Sequence, residues 1–263
     1  MATIGLRFSE PSELAQIQRK QHMEGFIDIH THILPGVDDG ACDLAEAIQM
    51  IRMAWENGTG ALVLTPHCRG EFGSNGVSKR HTVFLRLQEQ VRAEFPQIRL
   101  YLGSEVRYGS DVPEKLAAGE IQTLNGSHYV LLEFGSACLR SQILRGISNC
   151  VLSGYTPVLA HAERYDVFYR DDALIEEVLD MGALIQVNAQ SILGNLGLRT
   201  RFFCHKLLQR RQIHFVSSDC HDTIHRTPLL RKCWDKVRKK YGEEYAHQIF
   251  CWNAQAVIED AEL

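Results

Sequence analysis

From Phe26 onward, the chain alternates short apolar segments with longer segments of helical periodicity. The apolar segments are rich in Val, Ile, Leu, Phe and Tyr and lack polar alternation, which is typical of parallel strands buried on both faces. They predict seven strands, at residues 26–30, 61–65, 99–105, 129–134, 157–161, 184–188 and 214–218.

The segments between these strands have the pattern of amphipathic helices. Asp43 and Glu46 form a capping box ahead of an apolar stripe that includes Ile48 and Ile51, and Gly58 marks the end of this helix. Helices that alternate with parallel strands predict either a barrel or a doubly wound sheet. Seven strands favour an irregular (β/α)7 barrel.

The domain organisation is simple. The 263 residues contain no internal repeat, low-complexity tract or long Pro/Gly/Ser linker, so residues 25–263 are predicted to form a single domain. Residues 1–24 are polar and are predicted to form a partly helical N-terminal extension.

Composition narrows the class of protein. Hydrophobic residues make up 45% of the chain and charged residues 23%, which excludes a disordered protein. A net charge of -4 argues against nucleic-acid binding. The eight cysteines form no C-x-x-C pair and are expected to be reduced thiols. Without a signal peptide or an apolar run for membrane insertion, the protein is expected to be cytoplasmic.

Histidines and acids recur where the predicted strands end. In H-x-H, formed by His30 and His32, the two imidazoles project to the same side of a strand and can bind one ion. In parallel barrels this rim carries the active site. The candidate metal ligands are His30, His32, Asp39, His67, Glu105, Glu133, His161, Asp219 and His221.

The combination of these residues is more informative than any one of them. A single H-x-H can be a structural pair, and a lone acid at a strand end can cap a helix. Nine ligand-type side chains at one rim exceed the needs of a single tetrahedral ion and indicate two or three metals. Mixed imidazole and carboxylate ligands suit Zn²⁺, Mn²⁺ or Fe, whereas Ca²⁺ and Mg²⁺ prefer oxygen alone.

Several segments resemble the PHP (polymerase and histidinol phosphatase) superfamily, and within it the bacterial, capsule-associated protein-tyrosine phosphatases. The segments are FIDIHTHILPGVDDGACDLAEAI, LTPH, GSEV, LLEF, AHAER and SSDCHDTIHR. The resemblance runs from about Phe26 to near the C-terminus and fills all nine metal positions in order. The 24-residue extension is a departure, because family members usually begin almost at the first strand.

The resemblance implies a PHP-type (β/α)7 barrel and a metal-dependent phosphatase that hydrolyses phosphotyrosine by metal-bound hydroxide. The implied cofactors are two or three divalent ions, with manganese preferred and iron or zinc as alternatives. The implied substrate is a bacterial tyrosine autokinase that controls exopolysaccharide or capsule synthesis. The family's two phosphate-binding arginines correspond to Arg164 and Arg226.

Two aromatic residues are candidates for stacking on the phenyl ring of the substrate. Phe72 lies in a glycine-containing loop, residues 68–78, and Tyr108 follows Glu105. Simple packing of both rings at the rim is an equally weighted alternative.

Other functions stay open at this point. A histidinol-phosphatase-like enzyme or another metal-dependent phosphoesterase would use the same ions, and a non-catalytic PHP module would be expected to lack some ligands. An amidohydrolase would usually carry a lysine where this chain has Glu133. The C-x5-R pattern of cysteine-dependent phosphatases occurs twice, at 204–210 and 220–226, but neither copy has the glycines of a phosphate-binding loop.

A basic segment at residues 226–240 contains seven Lys or Arg residues and one acid. A solvated helix face is its usual explanation. The alternative is a docking surface for an acidic, multiply phosphorylated tail.

Overall fold

The barrel wall consists of short parallel strands. The structure, a computed structural model, describes residues 25–68 and 74–263. The strands of this part are β1 (Phe26–Thr31), β2 (Thr59–Leu64), β3 (His67–Cys68), β4 (Arg99–Leu102), β5 (Glu105–Arg107), β6 (Tyr129–Glu133), β7 (Thr156–Leu159), β8 (Leu184–Asn188) and β9 (Phe215–Ser217).

These strands pair in two runs, β1-β2-β4 and β3-β5-β6-β7-β8-β9. The gap between β2 and β3 contains Pro66, and the gap between β4 and β5 contains Gly103. Each gap divides one strand of the barrel into two segments, β2 with β3 and β4 with β5, and the predicted strand 99–105 is the second of these pairs. When each pair is counted once, the described residues form seven barrel strands.

The last strand returns to the first. Thr31 forms a parallel bridge with Cys220. The His32 N–H donates to Cys220 O and the Asp219 N–H donates to His30 O, both at 2.9 Å. This seam closes the curled sheet, and the predicted irregular (β/α)7 barrel is confirmed.

Helices surround the sheet. They are α1 (Leu44–Glu56), α2 (Ser74–Glu94), α3 (Val112–Ala117), α4 (Arg140–Leu152), α5 (Asp166–Arg170), α6 (Ala173–Asp180), α7 (Ala189–Leu193), α8 (Leu198–Gln209), α9 (Arg231–Tyr241), α10 (Glu243–His247) and α11 (Asn253–Ile258), with a π-helical turn at Gln248–Trp252. As predicted, Asp43 caps α1, accepting a hydrogen bond from the Glu46 N–H at 2.9 Å. No helix in the described part is long and apolar enough to cross a bilayer.

The barrel interior is apolar at one end and polar at the other. Buried side chains of the strands and of α11 fill it, among them Ile27, Ile29, Val63, Leu131, Val158, Phe215 and Val257. Asn125, just before β6, donates to Ile258 O, so α11 lies where the strands begin. The polar side chains collect where the strands end. The predicted extension, residues 1–24, lies outside the described residues.

Candidate metal centre

All nine predicted ligands lie at the C-terminal end of the barrel. β1 carries His30 and His32 follows it, β3 begins with His67, and β5 begins with Glu105. The other five are Asp39 in the loop after β1, Glu133 at the end of β6, His161 after β7, and Asp219 and His221 after β9.

Four buried side chains form the middle of the centre. The Nε2 atoms of His30 and His32 are 3.2 Å apart. Glu105 Oε2 lies 3.3 Å from each of these nitrogens, and Asp219 Oδ1 lies 3.5 and 3.4 Å from them. All four side chains are at most 2% exposed. Two imidazoles and two carboxylates therefore share one small, buried volume.

The centre opens to solvent through Asp39, whose side chain is 62% exposed. Asp39 Oδ1 lies 3.2 Å from His67 Nε2 and 3.5 Å from His221 Nε2. The other nitrogen of His67, Nδ1, lies 2.9 Å from Glu105 Oε2. Ligand-type atoms within 4.8 Å of one another form three groups: His32, Asp39, His67 and His221; His30, His32 and Asp219; His67, Glu105 and Glu133.

His161 joins the centre from β7. Its Nε2 lies 2.8 Å from Glu105 Oε1 and 3.9 Å from Glu133 Oε1. Its Nδ1 is buried and has no hydrogen-bond partner among the described residues. His161 and Asp219 both adopt left-handed backbone angles, with φ of 34° and 52°. Such angles cost about 1–3 kcal/mol each and persist only where the surroundings enforce them.

The histidines and carboxylates in the middle of the centre stabilise one another's charged forms. Burial opposes ionisation of Glu105 and Asp219, but the neighbouring histidines outweigh it and hold both pKa values well below the usual range. Burial also opposes charging of His30 and His32, yet the carboxylates around them raise both pKa values. Burial and the nearby His32 lower the pKa of His221 to about 4, so that ring is neutral at pH 7.

The donor atoms fit divalent metal ions. His30 Nδ1 donates to Gln186 Oε1 at 3.1 Å, and His32 Nδ1 donates to Asp38 Oδ2 at 2.8 Å. Because each Nδ1 is held as a donor, each Nε2 is left to face the buried carboxylates. Facing imidazole nitrogens and carboxylate oxygens are the ligand types of Zn, Mn and Fe sites.

Gln186 and Asn188 were not predicted as part of this site. Gln186 Oε1 accepts from His30 Nδ1 and, at 2.7 Å, from the His161 N–H. Gln186 Nε2 donates to Asn188 Oδ1 at 2.9 Å, and Asn188 Nδ2 donates to Asp219 Oδ2 at 2.7 Å. These two amides of β8 therefore orient ligand candidates from β1, β7 and the end of β9. The end of the predicted strand 184–188 was the signal that could have revealed them.

Asp38 is another supporting residue that sequence reasoning missed. Besides His32 Nδ1, its carboxylate accepts from the His67 N–H at 3.0 Å and from the Gly40 N–H at 3.1 Å. Of the two adjacent acids in the VDDG segment, Asp38 turns inward to hold the histidines, while Asp39 faces the opening.

Both predicted phosphate-binding arginines reach the edge of the centre. Arg164 and Arg226 contact the same oxygen, Asp219 Oδ2, at 2.9 and 2.7 Å. Asp222 accepts backbone hydrogen bonds from residues 224, 225 and 226 and so shapes the loop that carries Arg226. The two guanidinium groups therefore converge beside the ligand candidates.

Of the two aromatic candidates, the structure describes only Tyr108. Phe72 lies outside the described residues. Tyr108 is half-buried, its ring is 5.1 Å from that of Phe134, and its hydroxyl accepts from Asn149 Nδ2 at 3.2 Å. Tyr108 and Phe134 line a cavity of ≈ 370 Å³, together with Arg107. Because Arg107 lies 3.3 Å from Glu133, this cavity adjoins the centre.

The two cysteines of the C-x5-R patterns are poorly placed for nucleophilic chemistry. Cys204 and Cys220 are completely buried. Burial raises the pKa of both thiols well above the usual value, so neither is a thiolate at neutral pH. Cys204 lies within α8, and Cys220 pairs with Thr31 at the barrel seam.

Comparison with known proteins places the chain among capsule-synthesis proteins. The family model for capsular polysaccharide synthesis, CpsB/CapC, matches residues 26–259. Tyrosine-protein phosphatase CpsB of Streptococcus pneumoniae is 33% identical over 244 residues, covering 89% of this chain and 98% of that protein. Tyrosine-protein phosphatase YwqE of Bacillus subtilis is 31% identical over 228 residues, covering 85% and 88%.

Solved structures agree with this assignment. One comes from the crystal structures of YwqE from Bacillus subtilis and CpsB from Streptococcus pneumoniae, described as unique metal-dependent tyrosine phosphatases. It matches with a TM-score of 0.81 and 29% identity, covering 90% of this chain and 96% of that chain. Histidinol phosphate phosphatase from Lactococcus lactis shares the fold alone, with a TM-score of 0.55 and 12% identity over 88% of this chain and 98% of that one. The chain belongs to the CpsB/CapC family of capsular polysaccharide synthesis proteins.

Proposed function

We propose that this protein is a metal-dependent protein-tyrosine phosphatase. The observation that carries the proposal is the convergence of nine ligand-type side chains and two arginines at one end of the barrel. The 33% identity to a tyrosine-protein phosphatase over nearly its whole length supports the same activity. The family's role in capsular polysaccharide synthesis supports a phosphotyrosine protein of that process, a bacterial tyrosine kinase in the cytoplasm, as the substrate.

The ligands of this enzyme are the nine candidates, and they hold two or three divalent ions, with manganese preferred over iron or zinc. The group that contains Asp39 shares His32 with the second group and His67 with the third, as expected of ions that lie side by side. When bound, such ions neutralise phosphate charge and lower the pKa of water toward 7, which supplies a nucleophile.

Arg164 and Arg226 bind the phosphate. Each guanidinium offers a planar pair of donors that matches two phosphate oxygens. Asp219 holds both side chains at the edge of the centre, so little rearrangement separates their positions from those of a phosphate clamp. Tyrosine leaves as a phenolate with a pKa of about 10, so the reaction makes a modest demand on a proton donor.

Tyr108 and Phe72 contact the phenyl ring of the substrate in this proposal. The cavity beside Glu133 supports the role of Tyr108, because it is lined by the Tyr108 and Phe134 rings and has room for an aryl group. Loss of the Tyr108 ring should therefore weaken binding of aryl phosphates more than that of alkyl phosphates.

The test compares substrates on metal-loaded protein. A phosphotyrosine peptide should be hydrolysed with a kcat/KM at least about tenfold above that of histidinol phosphate, a difference of about 1.4 kcal/mol in transition-state binding. A preference for histidinol phosphate would instead indicate a small-molecule phosphatase. Absence of hydrolysis of both substrates and of p-nitrophenyl phosphate, with metal bound, would indicate a non-catalytic module.

A further inference from the structure

Helices α8 and α9 together present a group of positive charges that have no acidic partner in the described part of the chain. Arg201 on α8 and Lys232, Lys236 and Lys240 on α9 form no ion pair with a residue in the described part of the chain. Two cations just outside the group are paired, since Lys206 contacts Asp172 and Arg238 contacts Asp235. We call Arg201, Lys232, Lys236 and Lys240 the basic patch.

The charges of the basic patch repel one another. Partial burial lowers the pKa of Lys236, and Arg201, Lys240 and Lys232 lower it further. Burial, Lys240, Lys236 and Arg201 lower the pKa of His205 to about 4. This ring lies on α8 and stacks on Tyr241 of α9. In a chain whose net charge is -4, this local repulsion reduces stability and makes the surface a strong site for anions.

Two large apolar side chains lie beside this charge. Leu198 and Phe202 are 64% and 68% exposed, and they are four residues apart on α8, so they form one ridge. Leu198 lies three residues before Arg201 on the same helix, so the two side chains are neighbours on its surface. An exposed apolar ridge flanked by cations is a surface for a protein segment that carries both acidic and apolar residues.

Lys236 brings one side of the basic patch toward the candidate metal centre. α7 begins directly after Asn188, which contacts Asp219, and Lys236 Nζ approaches Ile192 O near the end of α7 at 3.5 Å. Because α7 rises about 1.5 Å per residue, Lys236 Nζ lies on the order of 10 to 20 Å from Asp219. An extended peptide of four to six residues spans about 13 to 20 Å, at about 3.3 Å per residue.

We propose that the basic patch binds an acidic segment of the phosphotyrosine substrate, about four to six residues from the phosphotyrosine. Charge complementarity selects this occupant, and the ridge of Leu198 and Phe202 contacts its apolar residues. The inference rests on the proposed function, since it assigns substrate selection to a surface outside the centre.

The experiment measures kcat/KM on matched phosphotyrosine peptides. Two acidic peptides each carry three glutamates, at the fourth to sixth positions from the phosphotyrosine, one on its N-terminal side and the other on its C-terminal side. Each has a counterpart with glutamines at the same positions. The native protein should prefer one acidic peptide by at least about fivefold at low salt, as three partly exposed ion pairs allow. The preference should decrease as the salt concentration rises.

The variant Lys232→Glu/Lys240→Glu should lose this preference while hydrolysing the glutamine peptide as well as the native protein. Arg86→Glu/Arg92→Glu is the control, because it changes the net charge equally on the exposed face of α2. Loss of the preference in both variants would show a general charge effect and overturn the proposal.

Equal rates on acidic and neutral peptides in the native protein would also overturn the proposal. Binding of anionic vesicles or an oligonucleotide, without a preference between the peptides, would overturn it too and assign the basic patch to another partner. Failure of the proposed function is distinguishable, because then neither peptide would be hydrolysed.

Discussion

At the scale of single residues, Gln186 shows how the barrel orients its polar end. This uncharged side chain is fully buried and bonds to His30, to the His161 backbone and to Asn188. By accepting at His30 Nδ1 it directs Nε2 of that ring toward the buried carboxylates. Residues that fix the ring orientation of metal-binding histidines contribute strongly to metal affinity.

We therefore expect Gln186→Leu to weaken Mn²⁺ binding by about 10- to 100-fold, because it leaves His30 Nδ1 and the His161 N–H without an acceptor. Gln186→Glu retains the acceptor and should bind Mn²⁺ more tightly than Gln186→Leu. Isothermal titration calorimetry on chelator-treated protein measures both affinities. Native affinity in a folded Gln186→Leu protein would show that the amide has no orienting role.

Arg164 and Arg226 allow a second prediction at this scale. Arg164→Lys and Arg226→Lys should each lower kcat/KM by about 100-fold, because lysine cannot reproduce the two parallel hydrogen bonds of a guanidinium. Bound metal, measured by elemental analysis, should stay at the native level. If metal is lost in proportion to activity, the arginines support the centre through Asp219 and do not bind phosphate.

At the scale of elements, the strands were the most predictable part of the chain. Apolar, β-branched runs are the signature of strands buried on both faces, and the runs at 129–134 and 184–188 coincide closely with β6 and β8. The breaks near Pro66 and Gly103 were not predictable, because they depend on which neighbour each segment pairs with. Periodicity within one segment contains no information about that pairing.

The site was predictable to the extent that its residues carry metal-ligand chemistry. Histidines and acids at strand ends are recognisable by type, and all nine candidates converge. Gln186 and Asn188 escaped prediction because amides are not typical ligands, although they end a predicted strand. Asp38 escaped because only the folded loop determines which acid of an adjacent pair turns toward His32.

The loop that carries Arg226 gives a prediction about an element. Asp222 accepts three consecutive N–H groups of this loop, and the His221 N–H donates to Arg226 O at 2.8 Å. Asp222→Ala should misplace Arg226 and lower kcat/KM by between about 10- and 100-fold, with unchanged metal content. Asp222→Asn, which retains an acceptor oxygen, should restore part of the loss. Native kinetics in Asp222→Ala would show that the loop keeps its shape without the carboxylate.

At the scale of the whole molecule, a largely buried histidine near the start of β9 makes the stability of the fold depend on pH. His214 lies at the start of β9, far from the ligand candidates along that strand, and its Nδ1 accepts from the Ile185 N–H at 3.1 Å. Burial lowers its pKa from 6.5 to about 4. The unfolded chain therefore binds a proton more readily than the folded protein. His214 stabilises the fold fully above pH 6.5, and this stabilisation is lost as the pH falls toward 4.

His214→Asn should remove this dependence, because the amide oxygen can accept from the Ile185 N–H without titrating. Relative to the variant, the native protein should lose about 2 kcal/mol of unfolding free energy between pH 7 and pH 5. Urea denaturation of metal-free protein at both values measures it, and groups common to both proteins cancel. Parallel pH profiles would show that His214 is neutral to stability in this range.

If phosphotyrosine hydrolysis depends on metal held by the polar end of the barrel, activity should return as metal binds, and this is the most direct measurement. Protein stripped with a chelator should be inactive on a phosphotyrosine peptide. Titration with Mn²⁺ should restore turnover in step with the binding of two or three ions per chain, and Glu133→Ala should lose both binding and turnover. Full turnover by demonstrably metal-free protein would contradict the account.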